Sequence, residues 1–198
     1  MGTQRRGEET RSRILEASAE SFARYGYDGT AVAEICRRAR VTKGAFYHHF
    51  PSKQAVFLEL LEQWLVGLDA QLEAARAGAA TVPQQFLHMA GLVQLVFQIA
   101  DGKLPIFLEF WTKAGHSPAI WQATIAPYRK YRAFIARMVE AGITEGTLRP
   151  IDAEKAAQVI VSLAVGVLLQ GLLDPQGADW GQMAEDGVRM LLEGLERK

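Results

Sequence analysis

Between Thr30 and Phe50 the chain reads TAVAEICRRARVTKGAFYHHF, and hydrogen-bonding, basic and very small side chains crowd together there. Thr42, Lys43, Tyr47, His48 and His49 can all donate, while Gly44 and Ala45 among them carry almost no side chain. Donors ringed around a bare patch suit a polyanion, because the donors reach phosphate oxygens while the bare patch lets backbone press against a base-pair edge. They do not suit catalysis. His48 and His49 are adjacent, His88 and His116 are isolated, and none has metal-ligand spacing to a carboxylate or thiolate. The chain also has no phosphate-binding glycine loop and no nucleophile motif, so neither an enzyme, a cofactor nor a metal is expected.

Two short helices must position these donors. Val32, Ile35, Cys36 and Ala39 recur at helical spacing, with Thr30 as the expected N-cap of a helix over Ala31–Ala39. After the turn Arg40-Val41, Thr42 caps a second helix from Lys43, in which Phe46 and Phe50 sit four apart and face inward. Helix, tight turn and second helix make the helix-turn-helix plan, whose second helix enters the major groove. Lys43, Gly44 and Ala45 are then the base-proximal residues. Thr30, Arg40, Thr42, Tyr47, His48, His49 and Lys53 hold the DNA backbone. A bracing helix is expected over about Glu9–Tyr25, stopped by Gly26, with residues 1–8 as a mobile arm.

Ile14, Ala17, Phe22, Gly26, Thr30, Ile35, Ala39, Val41, Lys43, Gly44, Tyr47, His49, Phe50 and Lys53 stand at the spacings of the amino-terminal pattern of the TetR family. The chain resembles a TetR-family transcriptional regulator over roughly its first 57 residues. The resemblance implies an all-helical homodimer with a variable carboxy-terminal ligand-binding domain, usually a repressor released from its operator by a small molecule. Arg40 departs from the pattern, since many members have glycine at this turn. A positive φ there would cost arginine about 1 kcal/mol, and a phosphate contact is the expected compensation.

Composition agrees with a folded regulator without identifying one. Of 198 residues 49% are hydrophobic, and the formal net charge is zero. Residues 1–51 hold nine Lys and Arg against six Asp and Glu, leaving +3 there and −3 in the remainder. That asymmetry is modest, and a solvated basic face would give the same numbers. Cys36 is the single cysteine, which excludes an intrachain disulfide and fits a reducing cytoplasm; a small core residue is the simplest role for it. The amino terminus lacks a signal-peptide core. The most apolar run, Val159–Leu173, is shorter than a membrane span, so a buried helix and no membrane partner are expected.

The fold class expected is all-α, with a three-helix helix-turn-helix domain over residues 1–52, a larger ligand-binding and dimerisation domain over 53–198, and about nine helices in total. Ser52 should cap a long helix from Lys53 to about Arg76, and Thr81 with Gln84 has capping-box spacing for a helix to about Ala100. A short helix over about Leu104–Ala114 follows, then one from Ser117-Pro118 to Gly142, with a kink or break predicted near Ala126 because Pro127 removes a donor. Asp152 and Asp179 should open the last two helices.

Phe86, Met89, Val93, Phe107, Phe110 and Trp111, with Trp121, Tyr128 and Tyr131, make an aromatic and apolar set on the middle helices. Such a set is core in most proteins; the resemblance implies a pocket there, with Glu109, His116, Gln122, Arg129 and Arg132 as polar candidates. The effector would be lipophilic or aromatic, with room for an anionic group. Val159, Leu163, Gly166 and Val167, with Met183 and Leu191, form an apolar surplus that fits an isologous four-helix dimer interface. The partners expected are a double-stranded inverted-repeat operator, a small effector and a second copy of the chain. A small helical enzyme, or an adaptor that has lost DNA binding, stays open as an alternative.

Overall fold

The computed structural model describes residues 2–100 and 105–195, and at residues 2–4, 95, 98–100, 105, 107 and 110 it describes backbone alone. Nine α-helices account for these described residues, so the all-α expectation holds. They fall into two compact units. One comprises Met1–Val66 with Gly102–Thr124, the other Gly67–Asp101 with Ile125–Lys198.

The first unit holds α1 (Gly2–Gly29), α2 (Val32–Ala39), α3 (Lys43–His49), the first part of α4 (Lys53–Ala77), α6 (Pro105–Ala114) and the start of α7 (Pro118–Glu145). Ile14, Phe22, Ile35, Phe46, Phe50, Val56 and Phe57 are its buried core, joined by Ile106 of α6 and Ile120 of α7. Phe22 and Phe57 meet edge to face at 5.5 Å between ring centroids. Full burial of each such side chain stabilises by about 1.5–3 kcal/mol, which is why this small unit holds short α2 and α3 in one arrangement.

α1 departs from expectation at its amino-terminal end. It is helical from Gly2, so residues 2–8 are not the mobile arm predicted: Arg5 pairs with Glu9 at 3.4 Å, and the Thr10 hydroxyl donates to the Arg6 carbonyl at 2.8 Å. Near its other end Gly26 stands at φ 71°, ψ 169°, a combination open to glycine almost alone; it interrupts the helix where the sequence places its stop, and a second short helical run follows to Gly29.

The second unit holds the rest of α4, α5 (Val82–Ala100), the rest of α7, α8 (Ala153–Leu173) and α9 (Trp180–Leu195). Val82, Phe86, Ile135, Met138, Val139, Leu148, Ala157, Val161 and Leu192 pack its main core. The caps read from sequence at the starts of α4, α5, α8 and α9 are present. Ser52 accepts from Ala55 N at 3.1 Å, Asp152 from Lys155 N at 3.1 Å and Asp179 from Gln182 N at 3.0 Å. Thr81 accepts from Gln84 N at 3.4 Å while the Gln84 side chain accepts from Ala80 N at 3.1 Å.

The break predicted at Pro127 does not occur. α7 runs unbroken from Pro118 to Glu145, past the expected end at Gly142. Proline deprives the helix of one hydrogen bond, but its fixed φ is itself helical, and buried Ile120 before it and buried Ile135, Met138 and Val139 after it hold the helix on either side. The apolar run Val159–Leu173 lies within α8, the helix that Asp152 was expected to open. At 21 residues α8 is the one helix among those described that is long and apolar enough to cross a membrane, though the core helix of a folded protein meets the same test.

Candidate nucleic-acid interface

The reading helix α3 begins as the sequence implies. Thr42, in extended conformation, accepts from Ala45 N at 3.1 Å, and the Phe46 and Phe50 rings are buried beneath. With its acceptor so engaged, the Thr42 hydroxyl keeps its proton for an outside acceptor. Lys43 and Gly44 are exposed and Ala45 is half-buried. A Cβ built on Gly44 would lie 3.7 Å from the Thr42 hydroxyl oxygen, an ordinary contact, so the fold does not itself require glycine here. One turn on, Tyr47 is 53% exposed and His48 exposed, while His49 is half-buried. Burial, then the neighbouring His48 and Arg11 charges, hold the His49 imidazole below its ordinary pKa, so near neutral pH it offers a neutral N–H rather than a cation.

Arg40 makes the turn between α2 and α3 in the left-handed conformation, φ 55°, ψ 47°. Its N–H donates to the Arg37 carbonyl at 3.3 Å, and Val41 N to the Cys36 carbonyl at 3.0 Å, closing the end of α2. Neither the Arg40 guanidinium nor the Lys43 ammonium has a protein partner among the described residues, in contrast with Arg37 and Arg38, which both bind Glu34. Those bonds, Arg37 first, pull the Glu34 carboxyl down to about 2. Cys36 is buried on the inner face of α2, and burial pushes its thiol up, which fits a core residue.

Two residues expected at the DNA backbone are placed otherwise. Thr30 does not cap α2, whose N-cap is Ala31 with no side-chain bond. Its side chain is 1% exposed, and its hydroxyl donates inward to the Ser21 carbonyl at 3.1 Å and the Gly26 carbonyl at 2.7 Å. Lys53 donates to the Tyr27 carbonyl at 2.6 Å and the Thr30 carbonyl at 2.8 Å, with its ammonium 4.2 Å from the Tyr27 ring centre. Burial lowers its pKa, while Asp28 acts to raise it. Both residues brace the turn leading into α2, because the chain doubles back there and its carbonyls need donors.

Of the residues expected around an effector, Glu109, Trp111 and Trp121 belong to the first unit; Phe86, Met89, Val93, Tyr128 and Tyr131 belong to the second. The Phe107 and Phe110 side chains lie outside the described residues. Phe86 and Val93 are buried in packed core. Tyr131 donates to Asp69 at 2.9 Å, and burial followed by Asp69 raises its pKa; Tyr128 accepts from Gln158 at 2.6 Å, and Gln158 in turn accepts from Arg132 at 3.3 Å. His116, Gln122 and Arg129 are exposed. Glu109 is not free to orient a ligand, since its carboxylate accepts from the Tyr27 backbone N–H.

The dimer set also divides. Val159 is 52% and Met183 47% exposed, Leu163, Gly166 and Leu191 are half-buried, and a Cβ on Gly166 would meet nothing within 4 Å. Val167 does not belong with them. It is 3% exposed, packed with Val93 and Ala184 inside the chain's own core. Sequence reasoning missed a groove of about 520 Å³ in the second unit, floored by Val82, Phe134 and Met138 and flanked by Arg76 and Arg137.

A short capped helix, bare at its tip and held out from a three-helix core, defines a helix-turn-helix DNA-binding protein. Residues 14–60 match the model of bacterial regulatory proteins of the tetR family, and residues 93–196 match that of the BetI-type transcriptional repressor carboxy-terminal domain. The chain belongs to the TetR family, whose members are transcriptional regulators and not enzymes. It is 32% identical over 190 residues to the A-factor receptor protein of Streptomyces griseus, covering 93% of this chain but spanning only 63% of that protein's length. With the transcriptional regulator UidR of Escherichia coli it shares 23% over 190 residues, 94% of this chain and 92% of the other. Among solved structures, a Saccharomonospora viridis transcriptional regulator in complex with choline superposes with a TM-score of 0.84 at 22% identity, covering 96% of this chain and 100% of that one. The ketosteroid regulator KstR2 of Mycobacterium tuberculosis gives 0.69 at 21%, covering 95% of each. At these identities the structural neighbours speak for the fold alone.

Proposed function

We propose that this regulator is a cytoplasmic homodimeric repressor that reads an inverted-repeat operator through α3 and is released by a small organic effector. One observation carries the reading: the exposed tip of α3, where Lys43 and Arg40 stand without protein partners among the described residues, on either side of the N-cap Thr42. Lys43, Gly44 and Ala45 are the base-proximal residues. Arg40, Thr42, Tyr47, His48 and His49 hold phosphates, which position the helix without specifying sequence. Residues 1–52 are assigned to DNA reading and 53–198 to effector binding and dimerisation, with α6 serving the first part from beyond that boundary.

Dimerisation is assigned to α8 and α9. Val159, Leu163, Gly166, Met183 and Leu191 leave apolar surface uncovered on these helices, and Leu173 and Met190 extend it at 71% and 72% exposure. Covering such a surface with its own copy gives a closed twofold interface, and a dimer that reads successive major grooves needs its two α3 helices about one DNA turn, ~34 Å, apart. For the effector, the aromatic residues Tyr128 and Tyr131 support an aromatic or lipophilic molecule. The complex of the Saccharomonospora neighbour makes choline the first specific compound to try.

Selection of bound duplexes from a randomised pool tests the reading. An inverted repeat should be enriched, and added effector should lower occupancy by binding the DNA-incompetent state more tightly. Recovery of random sequence would favour an adaptor without operator specificity.

A further inference from the structure

We infer that Glu109 of α6 is a positioning residue for DNA reading, setting from outside the helix-turn-helix the turn that delivers α2 and α3. The inference rests on the assignment of DNA reading to α3. Four observations within the first unit carry it. The Glu109 carboxylate accepts from the Tyr27 N–H, immediately after the positive-φ Gly26. A Cβ at Gly26 would stand 2.6 Å from the other Glu109 oxygen, so this glycine and this carboxylate fit each other. One helical turn along α6, the Lys113 ammonium pairs with Asp28 and lies 5.7 Å from the Tyr27 ring centre. Lys53 of α4 donates to the Tyr27 and Thr30 carbonyls of the same turn.

Two side chains of α6 thus hold consecutive residues of a turn that the helix-turn-helix cannot complete with its own groups. A part-buried N–H that loses its acceptor is unfavourable, and the glycine-only conformation at residue 26 gives the turn no stiffness of its own. Without Glu109 the turn relaxes, and α2 and α3 lose the single orientation that a major groove demands.

Glu109→Ala and Glu109→Gln test this, each read by operator affinity and by amide hydrogen exchange in the free protein. The alanine variant should lose tenfold or more in operator affinity and exchange faster at Tyr27 and through α2 and α3, while α8 and α9 exchange as before. Glutamine, which still offers a carbonyl oxygen to Tyr27, should restore most of both. Unchanged exchange in α2 and α3 would overturn the inference whether or not the wild type prefers any operator. So would a glutamine variant as defective as alanine. Failure of the wild type to prefer one duplex, with exchange changed as expected, would sink the DNA-reading assignment and leave the clamp standing.

Discussion

Gly44 separates what the fold needs from what the DNA needs. Its backbone is helical and a Cβ there meets only ordinary contacts, so Gly44→Ala should fold and gain about 0.5–1 kcal/mol in chemical denaturation. If α3 presses its tip against base edges, the same methyl group should lower operator affinity at least tenfold. A stabilised variant with undiminished affinity would show that the tip stands away from the bases. Arg40 poses the reverse case. Its left-handed conformation makes Arg40→Gly stabilising by up to about 1 kcal/mol. Loss of one phosphate contact per protomer should also flatten the dependence of log affinity on log salt by about two, twice the ~0.9 expected of one contact. An unchanged slope would remove the phosphate role.

Residues whose partners are near in sequence were legible there. Thr42, Ser52, Asp152 and Asp179 cap helices because the amide each serves is three residues on, and Phe46 and Phe50 turn inward because helical spacing puts them on one face. Thr30, Lys53 and Glu109 were misread for the opposite reason. Their roles depend on partners at Ser21, Tyr27 and the Gly26 turn, and in the case of Glu109 82 positions away. Nothing in local composition distinguishes a carboxylate that will accept from a distant amide from one that will face a ligand.

At the scale of elements, α2 is a short helix of eight residues, closed at its end by Arg40 and tied along its outer face by Glu34 to Arg37 and Arg38. The Glu34 carboxyl is lowered from about 4.5 to about 2 by those bonds. A depressed carboxyl contributes stability that is present above its unfolded pKa and is lost as pH falls through the folded value. Amide exchange in α2 should therefore accelerate between pH 4.5 and 2 in the wild type, after correction for intrinsic rates. Glu34→Gln should flatten that pH dependence, and an identical profile in the variant would contradict the assignment. α7 teaches a related lesson. Pro127 was expected to kink or break the helix; the break is absent because buried side chains on either side hold it, and local propensity yields to packing.

For the whole molecule, the claim is that two copies assemble through α8 and α9. Val159→Arg places like charges across a twofold axis while leaving the chain's own core intact, since Val159 is half exposed. Sedimentation should show a monomer with unchanged helical content, and operator affinity should fall steeply because each half-site then binds alone. A variant that still sediments as a dimer would move the interface elsewhere. The fold class and the order of helices were readable from periodicity and capping. A division into two parts was expected too, but the membership of α6 and the start of α7 in the first unit was not legible, because they join it through Ile106, Ile120 and Glu109, contacts that skip over an entire intervening helix.

The most direct test compares affinity for a selected inverted repeat with affinity for the same duplex scrambled, at one salt concentration, for the wild type and for Lys43→Ala. The wild type should prefer the repeat by about a thousandfold or more, and the variant should lose most of that ratio while binding the scrambled duplex only slightly less well. Equal affinity of the wild type for both duplexes, or a ratio untouched by removal of Lys43, would contradict the assignment of α3 as the reader of sequence.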